Sequence, residues 1–211
     1  MRPLLLIPTL AATLLLAGCE TMSQDACRQG DWAGVGYKDG QAGRPRSRLD
    51  EHAKACGKAG VVPDAAPYFA ARDQGLKLYC TPPRGFQEGR QGSGYAGVCP
   101  ERAEGAFLIA YADGKLVHAA VSRLSQAESD RDSADRRAEK RDREARGVED
   151  ELRNPKLNDE QTRELRDRLN RLRGERRSAV EDGRRAEWAR RDAEREVDDL
   201  EHRFIPIYGA W

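Results

Sequence analysis

Aromatic residues are scarce in this sequence, and neither sign of charge is in excess. Aromatic side chains make up 6% of the 211 residues and charged side chains 35%, so one large hydrophobic core is not expected. The 37 basic and 36 acidic residues nearly cancel. This balance argues against nucleic acid as a partner, which selects a strong basic excess. It also argues against a polybasic mode of membrane-surface binding.

Motifs that carry chemistry are also missing. No Cys-x2-Cys pair occurs, although zinc sites usually bring such close pairs, and the i, i+4 spacing of His52 and Cys56 is insufficient alone. The glycine-rich stretches lack the strand and the lysine of a phosphate-binding loop, and no nucleophile accompanies a base in a recognisable pattern. We therefore expect no metal ion, no cofactor and no enzymatic activity.

The first residues form an export signal. Arg2 precedes the apolar blocks Leu4–Ile7 and Leu14–Leu16, and small residues follow them. A basic start, a short apolar run and small residues at its end indicate a secretory signal peptide, predicted over residues 1–18. The run is shorter than the roughly 20 apolar residues that a membrane-spanning helix needs.

The end of this signal contains an attachment site for lipid, because Leu16-Ala17-Gly18-Cys19 resembles the lipobox of bacterial lipoproteins. The resemblance implies that the Cys19 thiol receives diacylglycerol and that Cys19, acylated with chains such as palmitate, becomes the new N-terminus. Each buried methylene of those chains contributes about 0.8 kcal/mol to membrane attachment. Residue 20 is Glu rather than Asp, which by resemblance to sorted lipoproteins implies the periplasmic face of the outer membrane.

Four cysteines remain after the lipidation site, all in the first half of the chain. An even number in an exported protein predicts two disulfides. We favour Cys27 with Cys56, because helices on either side of Pro45 can run out and back, and Cys80 with Cys99, because the segment Gly94–Cys99 can return along its helix. Four cysteines allow three connectivities, so the other two pairings stay open.

One phrase of the first half occurs twice, at an offset of 49 residues, as Gly36–Gly43 and Gly85–Gly92. A looser echo follows at Tyr111–Gly114. The repetition indicates a duplicated structural unit. Three glycines of each copy share one helical face, where another backbone can approach closely: Gly36, Gly40, Gly43, Gly85, Gly89 and Gly92. The rival reading treats Asp39-Gly40 and Asp113-Gly114 as hairpin turns; the helical spacing of apolar residues favours helices.

Breakers and capping residues divide this half into four predicted helices. The first covers about Asp31–Gly43. Ser47 with Asp50 resembles a capping box that opens the second. The third opens at Asp64, and the fourth opens at Thr81 with proline at its first position.

The same half resembles a family of small bacterial lipoproteins with a domain of unknown function. The resemblance rests on the glycine, aromatic and cysteine positions of Trp32–Gly43, Gly75–Cys80 and Gly89–Pro100, and it covers roughly residues 27–118. One departure is Ala71, where a glycine is expected; alanine still permits close packing. Because the family's function is unknown, the resemblance implies no activity for this chain.

The second half shows two unbroken heptad seams, from Ala120 to Leu152 and from Leu165 to Phe204. Pro155 ends the first helix, and Asn158 followed by acidic residues opens the second. A fold at Pro155 pairs the seams so that residue numbers add to 317. The pairs are Leu152 with Leu165, Val148 with Leu169, Ala145 with Leu172, Ala138 with Ala179, Ala134 with Gly183, Leu124 with Ala193, and Ala120 with Val197.

This shared register predicts an antiparallel hairpin within one chain; a parallel two-chain coiled coil is the alternative. The arm of about 36 residues would reach roughly 54 Å at 1.5 Å per residue. Its centre is thin, because alanines and Gly183 bury little area.

The predicted fold class is therefore mainly α, with a small disulfide-braced, glycine-rich helical head followed by a long antiparallel coiled-coil hairpin. The expected segments are a lipoprotein signal peptide at 1–18, the head at 19–100, the hairpin at 101–204 with its turn near 154–158, and a C-terminal tail at 205–211. We expect the tail to dock at the base of the arm.

The expected function is that of a membrane-anchored envelope lipoprotein of structural or partner-binding type, which presents its hairpin in the periplasm. The partners would be the membrane, through the lipid, and an envelope protein or the cell wall. The alternative is an envelope hydrolase or lyase that uses the carboxylate pair Asp39 and Glu88, which occupy equivalent repeat positions.

The first prediction concerns lipidation. Cys19→Ser removes the thiol that receives diacylglycerol, so we expect it to abolish labelling by radioactive palmitate and to release the chain from membranes. Cell fractionation with metabolic labelling measures both, and a variant that stays on the membrane would contradict the lipoprotein interpretation.

Overall fold

The computed structural model describes residues 21–211, within which seven helices and no strand form. The helices are α1 (Gln24–Gln29), α2 (Trp32–Gln41), α3 (Arg48–Gly57), α4 (Ala65–Tyr79), α5 (Pro82–Arg90), α6 (Glu101–Glu151) and α7 (Asp159–Tyr208). The predicted fold class is confirmed, with disulfide-braced, glycine-rich helices followed by a long helical pair. The predicted signal peptide and Cys19 lie outside the described residues. No helix of residues 21–211 has a stretch both long and apolar enough to cross a bilayer.

The chain forms two compact units. The first holds α1 to α4, up to Tyr79, together with Ala96–Val98; the second holds Cys80–Tyr95 and Cys99–Trp211. The boundary predicted from the sequence lies at residue 100, whereas the compact units divide at Tyr79–Cys80. The difference arises because α5 packs closely on the start of α6 and so belongs with the hairpin.

The first unit is centred on the packing of α2 against α4. Its buried cluster consists of Cys27, Trp32, Cys56 and Tyr68. Cys27 and Cys56 form a disulfide, with Cα atoms 5.5 Å apart, that ties α1 to the end of α3. Closing a loop of 29 residues stabilises the fold by about 3–4 kcal/mol in the chain-entropy model.

Helix starts in this part of the chain follow the predicted capping residues, with one correction. Asp64 accepts a hydrogen bond from the backbone amide of Ala66 at 3.1 Å, where α4 begins. Ser47 is the N-cap of α3, but its side chain makes no capping hydrogen bond because the residue already has helical backbone angles. The predicted capping box with Asp50 is therefore wrong, although the helix begins where expected.

The core of the second unit joins α5, the start of α6 and the end of α7. Phe86, Ala110, Val117 and Phe204 form its buried cluster. The Cys80–Cys99 disulfide, also with Cα atoms 5.5 Å apart, connects the start of α5 to the segment before α6.

The C-terminal residues extend α7 instead of forming a separate tail from residue 205, because α7 continues to Tyr208. The Tyr208 ring stacks on Phe86 with centroids 4.3 Å apart, and its hydroxyl donates to Asp113 Oδ2 at 2.8 Å. Pro206 lies inside the helix, where it removes one backbone hydrogen bond. Burial of Phe204 and Tyr208 on either side of Pro206 offsets that loss.

The hairpin consists of α6, with 51 residues, and α7, with 50 residues. At 1.5 Å per residue each helix is roughly 75 Å long. Asn158 opens α7 with a complete capping box: it accepts from the Gln161 amide at 2.8 Å, and the Gln161 side chain accepts from the Asn158 amide at 3.0 Å.

The helices pair in the expected register. Ala145, Val148, Leu169 and Leu172 form the buried cluster near the turn, flanked by half-buried leucines. At the thin centre, a Cβ built on Gly183 would lie 3.6 Å from the Cβ of Ala134. A constant sum of 317 requires these same pairings.

Interhelical ion pairs flank the seam on both sides. They join Arg123 with Glu196, Arg131 with Glu187, Arg137 with Asp182, Arg141 with Glu175, Arg173 with Glu149, and Arg176 with Asp142. Exposed pairs of this kind contribute about 0–1 kcal/mol each. They therefore contribute little to the stability of the hairpin, and their main effect is to favour the antiparallel register over others.

The register leads to a disulfide prediction. Ala138→Cys combined with Ala179→Cys should form an intrachain bridge, because residues in one seam layer have Cα atoms within about 7 Å. Non-reducing peptide mapping identifies the bridge. The control pairs Ala138→Cys with Glu181→Cys, which lies off the seam and should bridge poorly; equal bridging by both variants would mean another register.

Candidate functional site

Helices α2 and α4 cross with their backbones in direct contact. A Cβ on Gly36 would overlap the Tyr68 carbonyl oxygen, and a Cβ on Gly40 would overlap that of Arg72. From the other side, Gly75 presses against the backbone of α2. Since only glycine lacks a Cβ, this crossing requires glycine on both helices.

Helices α5 and α6 repeat the crossing. Gly85 and Gly89 meet the carbonyl oxygens of Phe107 and Tyr111, and Gly114 meets that of Phe86. The first helix of each pair is related by the offset of 49 residues and the second by 39. The duplication thus includes the partner helices, whose relation is hidden in the sequence because their side chains differ. Both rival hairpin turns are excluded, since Asp39-Gly40 and Asp113-Gly114 lie within helices.

The third glycine of each repeat ends its helix. Gly43 and Gly92 have φ of +63° and +72°, a left-handed conformation that other residues adopt at a cost. The carbonyl one residue later accepts a side-chain hydrogen bond from the partner helix. Arg72 Nε donates to Arg44 at 3.1 Å in the first repeat, and the Tyr111 hydroxyl donates to the equivalent serine at 2.6 Å in the second.

A buried polar cluster surrounds Asp39 in the first unit. Asp39 Oδ2 accepts from the Tyr68 hydroxyl at 2.7 Å and lies 2.8 Å from His52 Nε2. The other ring nitrogen, Nδ1, lies 3.0 Å from Thr21 Oγ1. His52 is only 3% exposed. The chain Thr21–His52–Asp39–Tyr68 therefore connects the N-terminal segment to three helices.

Burial and hydrogen bonding change the titration of two members of this region. Burial, followed by the hydrogen bond to Asp39, raises the pKa of Tyr68 well above its ordinary value of 10.0. Burial lowers the pKa of Arg72, whose guanidinium nevertheless stays protonated. Tyr68 is therefore a neutral donor to Asp39, and its phenolate is strongly disfavoured.

A hydroxyl, an imidazole and a carboxylate in hydrogen-bonded sequence are the groups that activate a nucleophile in many hydrolases. Here Asp39 also accepts from Tyr68 and His52 is enclosed, so the four side chains are bonded to one another inside the unit. This geometry fits a structural role, in which the hydrogen bonds hold Thr21 against the helices of the first unit. In the sequence, His52 is distinguished only by its spacing to Cys56, and no local pattern points to Thr21.

The two carboxylates proposed as a catalytic pair lie in different compact units, Asp39 in the first and Glu88 in the second. Glu88 pairs with Arg84 at 2.9 Å one turn earlier in α5. Equivalent repeat positions thus have different partners. Among residues 21–211, no group of three or more histidine, cysteine or acidic side chains is placed to hold a metal ion.

The hairpin presents shallow grooves beside its seam. One groove of about 360 Å³ lies near the thin centre and is bordered by Val180, Gly183 and Trp188. The Trp188 side chain is 71% exposed. An exposed tryptophan beside a groove is typical of a protein-binding surface.

Comparison with known families gives one match. Residues 31–116 match the family described as "Protein of unknown function (DUF2799)". The range begins at Asp31, the N-cap of α2, and ends just after Gly114, so it contains both glycine crossings. No curated protein and no solved structure shows significant similarity to the chain. The match supports a domain of unknown function.

The glycine crossing predicts opposite effects of the same substitution at two helical glycines. Gly89→Ala should lower the free energy of unfolding by about 1–3 kcal/mol, because its Cβ meets the α6 backbone. Gly105→Ala, where a Cβ meets nothing within 4 Å, should raise it by up to about 1 kcal/mol. Urea denaturation followed by circular dichroism measures both; equal effects would contradict the close crossing.

The Tyr68 environment predicts a loss of stability in alkali. Because its pKa is raised on folding, its contribution is complete below the ordinary value of 10.0 and is lost as pH rises through the higher folded value. Tyr68→Phe should therefore be less stable at pH about 8, and its stability should fall less steeply above pH about 10. The exposed Tyr37→Phe serves as the control, and parallel pH profiles for Tyr68→Phe and the wild type would contradict the role of Tyr68.

Proposed function

We propose that this chain is a lipoprotein of the bacterial outer membrane that holds a helical arm in the periplasm for binding another envelope component. The α6–α7 hairpin is the observation that carries the proposal. Two helices of about 50 residues, paired along their length, leave extended faces that no other element of the second unit covers.

The hydrogen bonds that link Thr21 through His52 to Asp39 support attachment of the first unit close to a membrane. Thr21 contacts His52, and Met22 packs on the cluster around the Cys27–Cys56 disulfide. Only one residue separates Thr21 from Cys19, so a lipid on Cys19 would be linked to the first unit through a single residue.

The composition of the arm supports binding rather than catalysis. Its surface is covered by arginine and acidic side chains that pair within and between the two helices. Trp188 interrupts this polar surface. Its side chain is the most exposed aromatic side chain of residues 21–211. The hydrolase alternative receives no support from geometry, since Asp39 and Glu88 each have other partners.

Site-specific photo-crosslinking in intact membranes tests the proposal. A photoreactive side chain placed at Trp188 should give adducts of higher mass, because that position faces the bound partner. The matched control is Lys54, an exposed position on α3, which should give few. Adducts at Lys54 alone, or at neither position, would refute the arm as the binding element.

A further inference from the structure

One broad face of the hairpin separates its charges by helix. On the α6 side it carries mainly acidic residues: Glu128, Asp132, Asp135, Glu139, Asp142 and Glu149. On the α7 side it carries mainly basic residues: Arg166, Arg173, Arg177, Arg184 and Arg191. We call this the segregated face. On this face, Arg146 and Glu187 are the exceptions within Glu128–Glu149 and Arg166–Arg191.

The two sets border common grooves, so they lie on the same side of the seam. Asp135 and Arg184 line the groove near Trp188, while Asp142 and Arg177 line a second groove nearer the turn. The opposite face mixes the signs on each helix, with Arg123 and Asp130 on α6 and with Asp182 and Arg185 on α7.

Several charges on the segregated face are not neutralised within the chain. Arg177, Arg184, Glu128 and Asp135 make no ion pair within the described residues, in contrast to the pairs Arg173–Glu149 and Arg176–Asp142. The available basic charges belong to α7 and the available acidic charges to α6. A partner must therefore offer both signs, in two parallel stripes.

We propose that the partner of this face is a second copy of the same hairpin. The inference names the partner of the arm and so rests on the proposed function. An anionic polymer or lipid surface attracted by the α7 arginines would be repelled by the acidic stripe of α6. A second hairpin, turned by half a rotation about the long axis of the arm, places α7 of each copy on α6 of the other.

The register of the hairpin makes this pairing specific. Because paired residue numbers add to 317, Arg184 is level with Ser133, between Asp132 and Asp135, and Arg177 is level with the residue after Glu139. The two-fold arrangement therefore brings Arg184 between the partner's Asp132 and Asp135, and Arg177 beside the partner's Glu139. Asp135 makes no ion pair within the described residues, whereas Asp132 and Glu139 pair with Arg131 and Arg143 of their own helix and would exchange these exposed pairs for pairs between copies. Turning the second copy end over end would oppose like charges, so the tips must point the same way.

Trp188 gives this interface an apolar contact. It borders the groove with Val180 and Gly183 and is level with Ser129, whose small side chain leaves room for an indole from the other copy. Tryptophan and arginine are enriched at the centres of protein interfaces. The segregated face supplies both.

Cysteine cross-linking of the purified full-length chain in mild detergent tests the dimer. Asp132→Cys with Arg184→Cys should give a covalent dimer on non-reducing gels, because these positions face each other only between copies. The control, Lys140→Cys with Ser178→Cys, lies at a similar level on the opposite face and should stay monomeric. Equal dimer yields from both variants would overturn the proposal.

Charge exchange provides the second test, measured by sedimentation equilibrium. Arg177→Glu with Arg184→Glu should weaken dimerisation at least about tenfold, and adding Asp132→Arg with Glu139→Arg should restore it. A wild-type chain that is monomeric at all soluble concentrations would overturn the dimer. So would a monomer that binds phosphatidylglycerol vesicles through Arg177 and Arg184. Membrane cross-linking at Trp188 that captures a different protein would leave the proposed function intact while the dimer fails.

Discussion

Direct contact between helix backbones is the constraint on which both units of this protein depend. Gly40 on α2 and Gly89 on α5 each touch a carbonyl oxygen of the crossing helix, and no other residue fits there. The close approach brings partner side chains within reach of the carbonyl that follows each helix. It also explains why a chain with few aromatic residues can still form compact helical pairs, since the packing area comes from the backbones themselves.

The two glycine crossings have the same backbone arrangement but place different side chains around it. Tyr68 in the first repeat corresponds to Phe107 in the second, and Arg72 corresponds to Tyr111. The first copy therefore contains a buried polar cluster that fastens the N-terminal segment. The second contains an aromatic cluster that receives the end of α7. Duplication preserved the crossing and allowed the first copy to hold Thr21 and the second to hold the end of α7.

The hairpin depends on charge more than on close contact between helix backbones. Its centre is built from small residues such as Ala134 and Gly183, which contribute little burial. Ion pairs across the seam select the antiparallel register, and the charges left over form the segregated face. The arginines that bridge the seam therefore differ from Arg177 and Arg184, which make no ion pair within the described residues and carry the proposed contact with a second copy.

Local spacing in the sequence was sufficient to determine the features that repeat over a few residues. The heptad seam predicted the hairpin and its register, the Gly36 phrase and its copy predicted helical glycine faces, and the capping residue Asn158 predicted the start of α7. Each of these follows from the 3.6-residue period of a helix or from the chemistry of a single turn, which neighbouring residues dictate.

Only the tertiary structure decided which helices cross and which distant polar groups meet. The glycines of α5 could pack against any helix that has small residues at the contact. That the contact is with α6 around Gly114 depends on the three-dimensional packing, which residue spacing alone does not reveal. Thr21, His52 and Asp39 are far apart along the chain, so no local pattern connects them. The end of α7 was missed for the same reason: Pro206 signals a break locally, but burial of the surrounding aromatic rings against α5 and α6 makes the helix continue.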